Sequence, residues 1–211
     1  MTRPLAVLRP EPGNTATARQ IEALGLTAIR RPLFAVRPLV WQCPDPEAFD
    51  VLLLTSANVL RHAGAQLDRL KPLPVIAVGA ATAEAARACG FGVRATGDRD
   101  GAAALALAGR ARVLHLTGRE HADGAVAERI AVYASEPVPA EVADLAGAVA
   151  LIHSSRAGAR LAEITLDRSR IGIAAISAAA MTAAGSGWSA HCVAARPSDA
   201  SLIDAARMLA D

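Results

Sequence analysis

The chain contains a single tyrosine, Tyr133, whose phenol is a neutral proton donor at neutral pH. It stands in "RIAVYASEPV", residues 129 to 138, a β-compatible run ended by proline. Its alternative role, a half-buried strand aromatic, needs no chemistry. Hydroxyls recur at two further places. "VLLLTSANVL" (51–60) and "VALIHSSRAG" (149–158) both turn from four aliphatic residues to small polar ones, at Thr55-Ser56 and Ser154-Ser155. In a parallel α/β sheet such residues fall at the carboxyl edge, where the next helix offers unpaired N–H groups carrying roughly half a positive charge. A serine there can simply cap its helix. Repeated at equivalent positions, the pair can instead line a site for an anion. Gly79 and Thr82 mark a third such turn, with glycine permitting close backbone approach.

Other chemistry is not indicated. The turn at Gly79 is neither GxGxxG nor GxxxxGK[ST], so a dinucleotide or P-loop site is unsupported. Cys43, Cys89 and Cys192 are widely spaced and form no CxxC pair, and the five histidines show no i, i+4 pair, so we expect no metal and no disulfide framework. No Ser-His-Asp, Cys-His or paired-carboxylate constellation can be read from spacing. All but one of the 22 basic residues are arginine. A GC-rich genome is the plain explanation of that bias; the alternative is a preference for carboxylate or phosphate partners. Arg9, Arg37, Arg119 and Arg156 lie at strand ends or crossings and are candidate carboxylate ligands; solvated surface charge is the alternative for each. Aromatics are only 3% of the chain and no helix carries a dense basic stripe, so nucleic acid is not an expected partner. No run reaches the roughly 18 apolar residues of a membrane span. A cytoplasmic monomer is expected.

These residues need elements to position them, and an internal repeat supplies those. An offset of 98 residues carries Ser56 onto Ser154 and Gly79 onto Ser177. Each copy reads as strand, polar turn, helix, strand, tight turn, alanine-rich helix, then Gly and an aromatic (Gly90-Phe91, Gly187-Trp188), closed by a further strand and helix. Short buried strands alternating with helices predict a parallel α/β sheet. A weaker strand–turn–helix echo precedes each copy, at "LAVLRPEPGNTATARQIEALG" and "RVLHLTGREHADGAVAERI". In the first echo an Asn or Thr cap opens the helix and Gly25 ends it. The order of these pieces predicts two interleaved Rossmann-like, flavodoxin-like domains: 1–32 plus 138–211, and 40–128. The crossings, 33–39 and 129–137, would form a two-stranded β ladder acting as a hinge.

At "VLRPEPGNTATARQIEALGLTAIRRPLFAV", "DVLLLTSANVL", "VIAVGAATAEAARACGF", "LTGRE", "VYASEPVP", "ALIHSSRAGARL" and "IAAISAAAMTAAGSGW…VAARPSDASLIDAAR" the chain resembles the uroporphyrinogen-III synthase family. The stretches span nearly the whole chain in family order. The resemblance implies two α/β domains joined by a two-stranded ladder, a substrate bound between them and no cofactor. It implies the substrate hydroxymethylbilane, a linear tetrapyrrole with eight carboxylates, closed to uroporphyrinogen III with loss of water and inversion of the last ring through a spiro intermediate. Tyr133 matches the family's hinge tyrosine, which assists departure of the hydroxyl. Thr82 matches the threonine of a VGxxTA turn, Ser56 and Ser154 the serines of two strand ends, and Gly118 with Arg119 a glycine turn. Substrate contacts are expected from Thr55, Ser56, Gly79, Thr82, Gly118, Arg119, Ser154, Ser155, Ser177 and Arg9.

Two departures stand out. Where the family reads IGxTTA, this chain has Ile176-Ser177-Ala178-Ala179-Ala180-Met181, without that glycine and threonine. The segment from Gly118 to Tyr133 is also short for a full helix, so a loop is expected there. Two other readings stay open from the residues alone: a non-catalytic two-domain binding protein for a small anion, and a sugar- or nucleotide-using transferase of twin α/β design.

Overall fold

The computed structural model describes residues 2–97, 101–120 and 128–210, apart from the side chains of Gly101 and Ala102. Its strands are β1 (Leu5–Val7), β2 (Ala28–Arg30), β3 (Phe34–Pro38), β4 (Val51–Leu54), β5 (Val75–Val78), β6 (Val93–Gly97), β7 (Val113–Gly118), β8 (Glu128–Pro137), β9 (Val149–Ile152), β10 (Gly172–Ala175) and β11 (Ala190–Val193). Its α-helices are α1 (Gly13–Ala23), α2 (Asn58–His62), α3 (Ala80–Ala88), α4 (Gly101–Ala106), α5 (Ser155–Ile164), α6 (Ala178–Ala184) and α7 (Asp199–Ala210).

The chain forms two compact units, Met1–Ala35 with Glu136–Asp211, and Val36–Ser135. The first holds a five-stranded sheet in the order β11-β10-β9-β1-β2, parallel throughout. The second sheet has six strands, β3-β8-β7-β4-β5-β6, with parallel pairing from β8 to β6. This is the expected α/β class with doubly wound parallel sheets. Strands β4 to β6 lie 98 residues before β9 to β11 to within a residue or two, and the echo strands β7 and β8 take the places of β1 and β2. The crossing strands β3 and β8 are neighbours at one border of the six-stranded sheet, and β8 from Glu128 to Tyr133 also pairs with β7. The expected ladder is therefore continuous with a sheet, which gives Tyr133 a fixed register.

The strands are short and apolar because both faces are covered. In the first unit Leu5, Val7, Val149, Leu151 and Ala174 pack under α1 and α7, while Ala6, Leu8, Ala150, Ile152 and Ile173 pack under α5 and α6. In the second, Leu52, Leu54, Val75, Leu114 and Leu116 meet α2 and α3 residues, and Val51, Leu53, Ile76 and Val113 meet Ala104 and Ala108. Each fully buried leucine contributes about 1.5–3 kcal/mol. The alanine excess serves close packing: a Cβ at Gly158 of α5 would lie 2.7 Å from the Ala180 carbonyl of α6. Gly90 and Gly187, at the ends of the alanine-rich helices, both have positive φ and place Phe91 and Trp188 in the core.

One cap differs from expectation. Helix α1 has Pro12 at its N-cap with no side-chain cap bond, and Asn14 lies inside the first turn. The Glu11 carboxylate accepts from the Thr15 N–H, which frees the buried Asn14 amide to donate to the Val7 and Arg9 carbonyls at 2.8 and 2.9 Å. The side chain thus ties the helix to β1. Gly25, with φ +74°, follows the end of α1 as expected. The expected loop between Gly118 and Tyr133 falls largely on 121–127, outside the described residues. Among the described residues no helix is long and apolar enough to cross a membrane.

Candidate active site

In each sheet the strand order reverses at one point, between β1 and β9 in the first unit and between β4 and β7 in the second. Ligands of doubly wound proteins sit beyond the carboxyl ends of the strands at such points. The hydroxyl-bearing turns lie at those ends.

In the second unit β4 runs into Thr55, whose Oγ1 lies 3.2 Å from Nε2 of His115 on β7. His115 is buried at 4% exposure, because β7 places it opposite Leu53 in the sheet interior. Ser56 Oγ accepts from the Asn58 N–H at 3.2 Å and so opens α2. Gly79 stands at the N-cap of α3 with φ +80° and ψ 148°, with open space where a Cβ would project. Thr82 is buried in the first turn of that helix.

The end of β7 is built around Tyr133. The pairing of β7 with β8 shifts register between Thr117 and Gly118, bringing Gly118 opposite Tyr133. A Cβ on Gly118 would lie 2.6 Å from the tyrosine ring and 3.0 Å from its phenol oxygen. Only glycine leaves room for the ring. The Arg119 N–H donates to the Tyr133 carbonyl at 2.9 Å, while its exposed side chain meets Glu120 at 3.3 Å. The half-buried His62, at the end of α2, tilts its ring toward Tyr133 with centroids 6.2 Å apart. Burial, then the charge of Arg61, pushes the His62 pKa down.

The first unit's edge is ionic. Arg9 Nη1 donates to both oxygens of Asp199 at 2.8 Å, and Thr17 Oγ1 donates to Oδ2 at 2.8 Å. Nε2 of His153, a side chain 7% exposed, lies 3.5 Å from Oδ1. His153, Thr17 and Arg9 together hold the Asp199 pKa down to about 2 against the opposing effect of burial. At 3.5 Å the His153 contact is long for a hydrogen bond, so Thr17 and Arg9 make the firmer contacts. Arg9, a candidate substrate ligand, thus has a carboxylate partner within its own unit. Ser154 and Ser177 adopt extended backbones and cap α5 and α6, accepting from Ala157 and Ala180 at 3.2 and 3.3 Å. Ser155 is exposed in the first turn of α5, and the Arg156 guanidinium lies 4.6 Å over the Phe34 ring. Arg37 is exposed on β3.

The structure thus brings together Thr55, Ser56, Gly118 and Tyr133 around the β4/β7 reversal, and Arg9, Ser154 and Ser155 around β1/β9. His62, His115, His153, Thr17 and Asp199 join these groups without having been singled out from sequence. The one local signal for His153 is its place directly after four aliphatic residues and before the capping Ser154. Among the described residues no cluster of His, Cys, Asp or Glu could hold a metal ion.

Doubly wound sheets whose carboxyl edges carry capped helix ends, hydroxyls and a seated phenol define a two-unit α/β protein of the kind that binds ligands at those edges. The sequence matches the family described as "Uroporphyrinogen-III synthase HemD" over residues 15–204. The fold matches the uroporphyrinogen-III synthetase of Helicobacter pylori 26695 at 15% identity and a TM-score of 0.71, covering 98% of this chain and 99% of that one. It also matches a mutant uroporphyrinogen III synthase of Thermus thermophilus at 17% identity and a TM-score of 0.54, covering 98% of each chain. No curated protein sequence matches. The chain belongs to the uroporphyrinogen-III synthase family. It is an enzyme of that family, a lyase of porphyrin and heme biosynthesis that cyclises hydroxymethylbilane.

Proposed function

We propose that Tyr133 is the proton donor of this cyclisation and that the sheet edges hold the substrate through its carboxylates. The phenol donates to the terminal hydroxyl of hydroxymethylbilane as the carbon–oxygen bond breaks, and water leaves. The pyrrole nitrogen supplies the electron pair, giving an azafulvenium, whose N–H proton can return to the tyrosinate. The last ring then attacks the azafulvene methylene through its substituted carbon to give the spiro intermediate; the bond from that carbon to its former bridge breaks, the freed bridge closes on the ring's other α-carbon, and the proton lost there restores the pyrrole N–H. Free in water, the azafulvene closes without inversion, so the enzyme must select a conformer. Positioning can contribute several kcal/mol without a strong acid or base.

The observation that carries this reading is the seat of Tyr133: a half-buried phenol on β8, opposite the last residue of β7, on a glycine that leaves room for nothing larger. In the second unit the candidate holding groups are the first-turn amides of α2 and α3, reached through Thr55, Ser56, Gly79 and Thr82; in the first unit they are those of α5 and α6, reached through Ser154, Ser155 and Ser177. Arg119, exposed beside Gly118, adds a cation. Arg9 acts by fixing the turn after β1 through Asp199. No cofactor enters the scheme, and the enzyme works as a cytoplasmic monomer without nucleic acid. The test is to supply enzymatically generated hydroxymethylbilane and separate the uroporphyrin isomers after oxidation. Isomer III from the wild type, formed about 10–100-fold more slowly by Tyr133→Phe, is expected. Undiminished turnover by Tyr133→Phe would remove the donor role.

A further inference from the structure

The reaction needs the phenol aimed in one direction, yet a tyrosine ring turns about two side-chain torsions. The ring packs against the core cluster of the second unit, and two further contacts define its seat. One is the Cα of Gly118, close enough to exclude any Cβ. The other is the His62 ring, 6.2 Å away between centroids and tilted by 43°, within the usual range for paired rings. His62 closes the five-residue helix that Ser56 opens, and that helix is anchored by the fully buried Val59 and followed by the buried Ala63. The Ser56 turn and the ring beside Tyr133 therefore stand at the two ends of one short helix. The neighbouring Arg61 is exposed and tied to Asn58 Oδ1 at 3.1 Å, which leaves the histidine as the residue of that last turn facing the phenol. Burial favours the uncharged imidazole, so at neutral pH the contact is one of ring against ring.

We propose that His62 is a positioning residue for Tyr133, its ring fixing the rotamer in which the phenol meets the departing hydroxyl. This rests on the donor role assigned to Tyr133 above. Histidine serves as a shaped aromatic body here, so a ring should be required and a titrating nitrogen should not.

The experiment measures kcat and KM for hydroxymethylbilane with His62→Ala, His62→Gln and His62→Phe, each made in the wild-type and the Tyr133→Phe background. Loss of the ring in Ala or Gln is expected to lower kcat about tenfold with KM within about twofold. Phe is expected to keep kcat within about threefold and to flatten any acid limb that His62 contributes to the pH profile. In the Tyr133→Phe background the same changes should cost less than about twofold, because the group they position is gone. The Gln variant guards against misfolding in Ala, and thermal unfolding of each variant checks it. Equal losses in both backgrounds, or a wild-type kcat in Ala and Gln, would overturn the proposal while leaving Tyr133 as donor. A Tyr133→Phe enzyme at full rate would overturn both, and is distinguished by that variant alone.

Discussion

The two sheet edges descend from the same repeat and have been equipped differently. Around β1/β9 the polar groups neutralise one another: Arg9 and Thr17 hold Asp199 at 2.8 Å, and His153 closes the cluster. Around β4/β7 stand a phenol on glycine, an imidazole beside it, and a threonine against a buried histidine. The capping turns diverge as well. Ser177 caps α6 from an extended backbone, φ −156°, whereas its counterpart Gly79 uses φ +80°. One edge pairs its charges with one another; the other seats a phenol on β8 opposite the last residue of β7.

The comparison can be broken most forcefully at Gly118. Gly118→Ala forces a Cβ to within 2.6 Å of the Tyr133 ring, so the phenol must leave its seat. We expect kcat to fall by about 100-fold, at least as far as in Tyr133→Phe, with about 1–3 kcal/mol lost from stability by overpacking. Steady-state assays and urea unfolding check both.

Exchanging the capping turns sharpens the contrast. Gly79→Ser copies the other unit, yet serine does not readily adopt φ +80° with ψ 148°, so about 1–3 kcal/mol of stability should be lost. The reverse exchange, Ser177→Gly, should cost only about a few tenths of a kcal/mol. Equal costs would show the two turns to be interchangeable.

The ionic edge should announce itself in acid. Asp199 has a folded-state pKa of about 2, below its unfolded value of about 3.9. Its contribution to stability is therefore complete above about pH 4 and is lost as pH falls through about 2. With a quarter of the side chain exposed, we expect about 1–2 kcal/mol. Asp199→Asn should unfold at lower temperature than wild type at about pH 7, and the gap should close toward about pH 2.

The α/β class, the repeat and the strand-end serines were legible because each is written locally, in aliphatic runs, small-polar turns and glycines. What escaped depends on pairing across distance. Nothing near Arg9 announces Asp199, 190 residues away. His115 sits within an apolar strand, and only the register with β4 brings it under Thr55. His62 meets Tyr133 because β8 joins the sheet beside β7 and the register slips at Gly118. Asn14 read as a cap and became a tie to β1, because Glu11 reached the Thr15 amide first.

The proposed roles of Tyr133 and Ser154 are tested most directly by the kinetic constants of Tyr133→Phe set beside those of Ser154→Ala, with hydroxymethylbilane as substrate. Removing the phenol should lower kcat by about 10–100-fold with little change in KM, and removing the cap should raise KM while leaving kcat within about twofold. The opposite pattern, KM moved by the phenol and kcat by the serine, would contradict the account.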